Sequence, residues 1–95
     1  MFTPTWDDIK RRLAQHDSPG VTVFGIPPNG MILAAMLTRA IAVTTPEEAS
    51  IILDDYKHAG EVRKFYSEKY RKIFITLYDE PVLMPWASYT QGLQK

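Results

Sequence analysis

The chain contains no cysteine and no excess of charge of either sign, and these two features exclude several classes of protein. Its 95 residues include eleven Lys and Arg side chains against eleven Asp and Glu side chains. Without cysteine, the chain has neither a disulfide framework nor a thiolate metal site, and this fits a reducing compartment. Balanced charge argues against a general nucleic-acid-binding protein, because such domains are usually basic. We therefore expect no nucleic-acid partner.

Long apolar runs are also missing, and the first residues are charged. The apolar runs are far shorter than the ~20 residues that a membrane-spanning helix needs. Asp7 and Asp8 interrupt the region where a signal peptide would have its apolar core. These features predict a cytoplasmic protein without membrane contact. A chain of 95 residues is near the lower size limit for a self-sufficient core, so association into a homo-oligomer would add stability.

Helical and strand-like patterns alternate along the chain. The patterns predict helices over residues 6–16, 31–40 and 61–70. They predict strands over residues 21–25, 41–43, 50–53 and 72–78, with a short fifth strand over 82–84. This alternation predicts a single α/β domain over residues 1–95. Its expected architecture has three layers, a parallel sheet of about four or five strands flanked by helices.

The segment from Ile51 to Glu61 points most directly to chemistry. An apolar run ends in two adjacent carboxylates, Asp54 and Asp55, and Gly60 precedes a helical pattern. Acids at the end of a buried strand can bind ribose hydroxyls or a metal ion, while the turn and helix N-terminus offer N–H groups to phosphate. The alternative is that the two acids cap the next helix and face water.

A second loop is predicted to leave a strand at the same edge of the sheet. Gly25 and Gly30 have no Cβ and the prolines between them restrict the loop, so its backbone could approach a ligand closely. Ligands of parallel sheets bind beyond the carboxyl ends of the strands. The two loops together therefore suit a phosphorylated sugar bridged by Mg²⁺, although each loop alone could be only a turn.

The same two segments resemble a known family. Residues 53–61 are similar to the phosphoribosyl-pyrophosphate signature of type I phosphoribosyltransferases, and residues 25–31 resemble the family's pyrophosphate loop. Residues 45–49 and 82–86 resemble a small subgroup from bacteriophages and bacteria that is similar to purine (xanthine–guanine type) enzymes. The resemblance covers residues 5–87 in the same order.

This resemblance implies a fold and a reaction. The fold is the phosphoribosyltransferase-like one with a reduced flexible loop and hood. The reaction transfers ribose 5-phosphate between pyrophosphate and a purine-type nucleobase, with Mg²⁺ as cofactor. The implied partners are phosphoribosyl pyrophosphate, or a nucleotide, and a nucleobase. For a phage-encoded member, the location would be the host cytoplasm.

The resemblance also implies a role for each matching residue. Asp54 and Asp55 would bind the ribose hydroxyls, directly or through the metal ion, and His58 stands where the family has a catalytic acid. The residues that would surround the 5-phosphate are Ala59, Gly60, Glu61 and Val62. Those that would meet the pyrophosphate are Pro28, Asn29 and Gly30. Trp86 would contact the base, with Arg71 or Lys72 near its exocyclic oxygen.

The chain departs from the family pattern where phosphate would bind. Ala59 and Val62 replace hydroxyl residues, and Pro28-Asn29 replaces the usual Arg-Gly. Six residues between Val43 and Ser50 are too few for the long loop that closes over the reaction. Each lost hydrogen bond would remove ~1 kcal/mol of binding, and each charge-assisted one ~1.5–3 kcal/mol.

These departures leave three hypotheses open. The first is a phosphoribosyltransferase of reduced activity. The second is an inactive module with the same fold that binds a nucleotide or a protein partner. The third is a structural oligomer that uses Trp86 and the C-terminal tail as its interface.

Overall fold

The computed structural model describes residues 2–57 and 61–86. In chain order the elements are α1 (Trp6–Ala14), β1 (Thr22–Gly25), α2 (Asn29–Ala35), β2 (Ile41–Ala42), a 3₁₀ helix (Pro46–Glu48), β3 (Ile51–Tyr56), α3 (Glu61–Tyr70) and β4 (Ile73–Tyr78). The predicted alternation of helices and strands is confirmed. Within the described ranges, no helix is both long enough and apolar enough to cross a membrane.

The four strands within the described ranges form one sheet, in which every pair is parallel. Their order is β2-β1-β3-β4, so the chain places β2 on one side of β1 and then β3 on the other side. Val23 lies opposite both Ala42 and Ile51, and Ile51 lies opposite Ile73. Because all strands run in one direction, their carboxyl ends share one rim, and the order reverses there between β1 and β3.

Helices cover both faces of the sheet, as the three-layer prediction required. On one face, Val23 and Leu53 belong to a core that includes Ile9 and Leu13 of α1 and residues of α2. Phe24 and Ile52, their neighbours on the same strands, face the opposite side of the sheet. A second, smaller core there holds Phe24, Ile26, Ala49 and Ile52, with Tyr66 of α3 packed against it. This division follows from the alternation of side chains along a strand.

The prediction of a fifth strand over residues 82–84 is wrong. Val82 makes a single parallel bridge with Phe2, and Leu83 donates its N–H to the carbonyl oxygen of Phe2 at 3.0 Å. Pro81 and Pro85 flank this segment, and a proline has no N–H with which to continue a ladder. The segment still contributes to the core, because Val82 and Met84 are buried.

The second helix is displaced from its predicted bounds, beginning at Asn29 and ending at Ala35. A carboxylate from another part of the chain explains its early end. Asp17 accepts hydrogen bonds from the N–H groups of Thr38 at 3.0 Å, of Arg39 at 2.7 Å and of Ala40 at 2.7 Å. A longer helix would have used these donors internally. The same bonds, led by those from Ala40 and Thr38, hold the pKa of Asp17 well below its usual range.

Replacing Asp17 with alanine should destabilise the protein near neutral pH, and the effect should disappear in acid. A lowered folded-state pKa means that the stability from Asp17 is fully present above the unfolded-state pKa of about 3.9. It is lost progressively as the pH falls from there through the lower folded-state pKa. The difference in thermal midpoint between wild type and Asp17→Ala, measured by circular dichroism, should therefore shrink below about pH 4. Asp79→Ala, which removes an exposed carboxylate, is the control. An unchanged difference down to pH 2 would contradict this explanation.

Candidate functional site

Two carboxylates lie within the sheet close to the rim where the strand order reverses. Only 4% of the surface of Asp54 and 2% of the surface of Asp55 are accessible to solvent. We predicted that their strand would end at residue 53, and this was wrong because β3 continues to Tyr56. Its pairing with β4 accounts for the extension, since Asp54 lies opposite Thr76 and Tyr56 lies opposite Tyr78. The acids are thus held by a strand and not by a mobile turn.

The partners of the two carboxylates lie on opposite faces of the sheet. Asp55 accepts a hydrogen bond from Nδ2 of Asn29, in α2, at 2.8 Å. Asp54 is electrostatically coupled to Tyr66 in α3, since burial raises the pKa of that phenol and the charges of Tyr70 and Asp54 raise it further. Successive strand residues face opposite ways. The two carboxylates are therefore not presented side by side to a single ion.

Asn29 connects Asp55 to the segment that follows β4. Its Nδ2 donates to Asp55, and its Oδ1 accepts from the indole Nε1 of Trp86 at 2.8 Å. The other oxygen of Asp55 accepts the N–H of Tyr56 at 2.8 Å. Reversing the amide of Asn29 would oppose donor to donor and acceptor to acceptor, so both contacts require one orientation. The structure thus brings together three residues to which the family resemblance assigns separate roles: Asn29, Asp55 and Trp86.

Trp86 is partly buried beside the other tryptophan of the chain. The ring centroids of Trp6 and Trp86 are 5.5 Å apart and their planes are inclined by 41°. This contact packs the segment after β4 against the start of α1. Because its indole N–H donates to Asn29, Trp86 also lies next to the carboxyl rim.

Two glycines allow α2 to approach the sheet closely enough for this network. A Cβ on Gly30 would overlap the carbonyl oxygen of Leu53 and would lie 3.4 Å from the Cα of Asp54. A Cβ on Gly25 would overlap the carbonyl group of Gly30. The peptide bond between Pro27 and Pro28 in this loop is cis. The loop and the start of α2 thus lie close to β3, and the predicted approach of this loop to a ligand stays a prediction.

The structure does not bring Arg71 and Lys72 to this rim. Both residues precede β4, and Ile73 pairs with Ile51, so they lie at the amino ends of the strands. The ammonium group of Lys72 donates to the carbonyl oxygen of Glu47 at 3.3 Å. The prediction that either side chain meets a base beside Trp86 is wrong. Residues that precede a strand of a parallel sheet lie at one rim, and residues that follow a strand lie at the opposite rim.

The predicted phosphate-binding turn falls mostly outside the described residues. His58, Ala59 and Gly60 lie there, and their roles stay predictions. Glu61 and Val62 form the first turn of α3, as the sequence predicted.

The residues present do not fit a Mg²⁺ ion held by both predicted carboxylates. Each oxygen of Asp55 accepts a hydrogen bond from a protein N–H group. Asp54 and Asp55 are successive residues of β3 and face opposite sides of the sheet, and Oδ1 of Asp54 accepts the N–H of Asp55 at 2.9 Å. Within residues 2–57 and 61–86, no group of three or more acidic or histidine side chains could hold a metal ion.

A mainly apolar hollow of about 300 Å³ lies near the ends of β1 and β2, and no pattern in the sequence predicted it. Its lining includes Phe24, Pro27, Met31, Ala42 and Val43. These residues come from separate elements, so only the arrangement of strands brings them together.

Comparison of the chain with protein-family models, with curated proteins and with solved structures finds no match.

Replacing Gly30 with alanine should destabilise the protein by about 1–3 kcal/mol, because the added methyl group forces α2 away from the Leu53 carbonyl. It should also weaken the Asn29–Asp55 contact. Met31→Ala is the control, since the Met31 side chain is 54% exposed. Urea unfolding measures both variants. A Gly30→Ala protein as stable as wild type would show that the close packing is not required.

Proposed function

We propose that the rim between β1 and β3 binds a phosphorylated ribose ligand of the phosphoribosyl-pyrophosphate class. On this proposal the chain is a phosphoribosyltransferase-like protein, which transfers ribose 5-phosphate between pyrophosphate and a purine-type nucleobase. The observation that supports it best is the position of Asp55. This carboxylate is 2% exposed at the point where the strand order reverses, and Asn29, the first residue of α2, contacts it directly. Ligands of open α/β sheets bind at such a point.

The groups at the rim suit different parts of such a ligand. A carboxylate in a poorly solvated position accepts hydrogen bonds from ribose hydroxyls more strongly than one in water. The negative charges of Asp54 and Asp55 would also stabilise positive charge that develops on the ribose ring as its bond to pyrophosphate breaks. The first turn of α3, at Glu61, offers backbone N–H groups to the 5-phosphate. No step is assigned to a metal ion.

A second candidate function is binding without turnover, and two observations favour it. Both oxygens of Asp55 already accept hydrogen bonds from the protein. The connection between β2 and β3 is occupied by the 3₁₀ helix Pro46–Glu48 and by buried Ala49, so it has no length left for a lid. A site without a lid admits water, which would compete with a nucleobase for the ribose.

Calorimetric titration with phosphoribosyl pyrophosphate, with and without Mg²⁺, tests the ligand. We expect measurable heat with wild type and at least about tenfold weaker binding to Asp55→Asn, since a hydrogen bond to a charged group contributes ~1.5–3 kcal/mol. Asp79→Asn, the exposed control, should bind like wild type. Absence of both heat and a thermal shift at millimolar ligand would remove the proposal.

The same proteins distinguish the two candidate functions. Nucleotide formed from phosphoribosyl pyrophosphate and guanine, xanthine or hypoxanthine, and lost in Asp55→Asn, would establish transfer. Binding to wild type without any product from these bases would instead favour the module without turnover. Chromatographic detection of the nucleotide suffices for both outcomes.

A further inference from the structure

The chain of hydrogen bonds from Asp55 through Asn29 to Trp86 uses both ends of one side-chain amide. Each of its two bonds is 2.8 Å long. Sequence positions 29, 55 and 86 belong to the start of α2, to β3 and to the segment after β4. We propose that this chain is an autoinhibitory latch: Asn29, held by Trp86, occupies Asp55 until a ribose-phosphate ligand displaces it. The inference rests on the proposed function and concerns access to the same site.

Because Asp55 is buried, a ligand must compete with Asn29 for its carboxylate. Asp55 is 2% exposed, so a ribose hydroxyl cannot reach its carboxylate without the movement of a neighbouring group. One oxygen accepts the N–H of Tyr56, and this donor belongs to the backbone of β3. The other oxygen accepts from Asn29, whose side chain can rotate. Of these two donors, the amide of Asn29 is the one that a ligand could replace while β3 stays intact.

Release of Asn29 also changes the surroundings of Trp86. The amide cannot leave Asp55 by rotation and still keep its Oδ1 aimed at the indole Nε1, because both contacts require one orientation of the side chain. Opening thus breaks two hydrogen bonds together. A contact that exists only in the free protein lowers the apparent affinity by the fraction of molecules that are open. Removing the contact should therefore strengthen ligand binding.

Asn29→Ala is the direct test, with ribose 5-phosphate as the probe because it contains no pyrophosphate that Asn29 could contact. Calorimetry should show about tenfold tighter binding than wild type, since a hydrogen bond to a charged group changes an equilibrium constant by roughly that factor or more. The control is Gln15→Ala, which removes an exposed amide at the end of α1 and should leave the affinity unchanged. Thermal midpoints establish that each variant is folded.

Fluorescence provides a second readout that a purely structural role for Asn29 would not produce. In a Trp6→Phe background, Trp86 is the single tryptophan. Ribose 5-phosphate should change its emission in that protein, and the change should be much smaller when Asn29→Ala is added. Trp86→Phe is a second test, needed if Asn29→Ala does not fold. It keeps an aromatic ring but removes the indole donor, so it should also bind the probe several-fold tighter than wild type.

The outcomes separate this inference from the function on which it rests. Weaker or equal binding by both Asn29→Ala and Trp86→Phe, with clear binding by wild type, would overturn the latch and leave the ligand class intact. Binding by the variants and not by wild type would support the latch strongly. Failure of wild type and both variants to bind either ribose 5-phosphate or phosphoribosyl pyrophosphate would overturn both.

Discussion

The arrangement of the carboxyl rim depends on one requirement, that a carboxylate buried inside a strand must receive hydrogen bonds. An isolated charge in such a position is strongly unfavourable, and Asp55 is 2% exposed. Among the described residues, the backbone of Tyr56 and the side chain of Asn29 both donate to it. For Asn29 to reach it, the start of α2 must lie almost on the strand, and this is possible only because position 30 has no Cβ. Trp86 then satisfies the remaining end of the same amide.

Local patterns predicted the elements whose formation depends on neighbours in sequence. Helix α1 begins at Trp6 because Thr5 accepts the N–H of Asp8 at 3.1 Å, and its apolar face buries Ile9 and Leu13. The bounds of β1, α3 and β4 were likewise predicted to within one residue. Periodicity and capping are properties of a short window, so a sequence shows them directly.

The errors arose where a distant part of the chain decides the outcome. The strand before the acids extends to Tyr56 because β4 pairs with it, and α2 ends early because Asp17 takes the donors of Thr38 and its neighbours. The partners in the site are also remote, with Asn29 separated by 26 positions from Asp55 and by 57 from Trp86. Each of these residues was identified as a candidate. Their bonding to one another was not predictable, because no local pattern encodes which polar groups will meet.

The acidic side chains of Asp8, Asp17 and Asp55 all accept hydrogen bonds, and the nature of their donors distinguishes them. Asp17 is bound by consecutive backbone N–H groups, which shape the connection after α2. Asp8 binds Arg11, Arg12 and the hydroxyl of Tyr78; the bonds from Tyr78 and Arg11 contribute most to lowering its pKa to about 2. That cluster joins α1 to the end of β4.

Asp55 differs because one of its donors is a short side chain at the start of α2, at the point where the strand order reverses. A backbone donor cannot be exchanged without unfolding its element, whereas an amide side chain can rotate away and leave the strand intact. A buried acid with one fixed and one exchangeable donor can therefore accept a ligand without loss of the fold. This property, more than the acidic pair itself, makes the rim between β1 and β3 the candidate functional site.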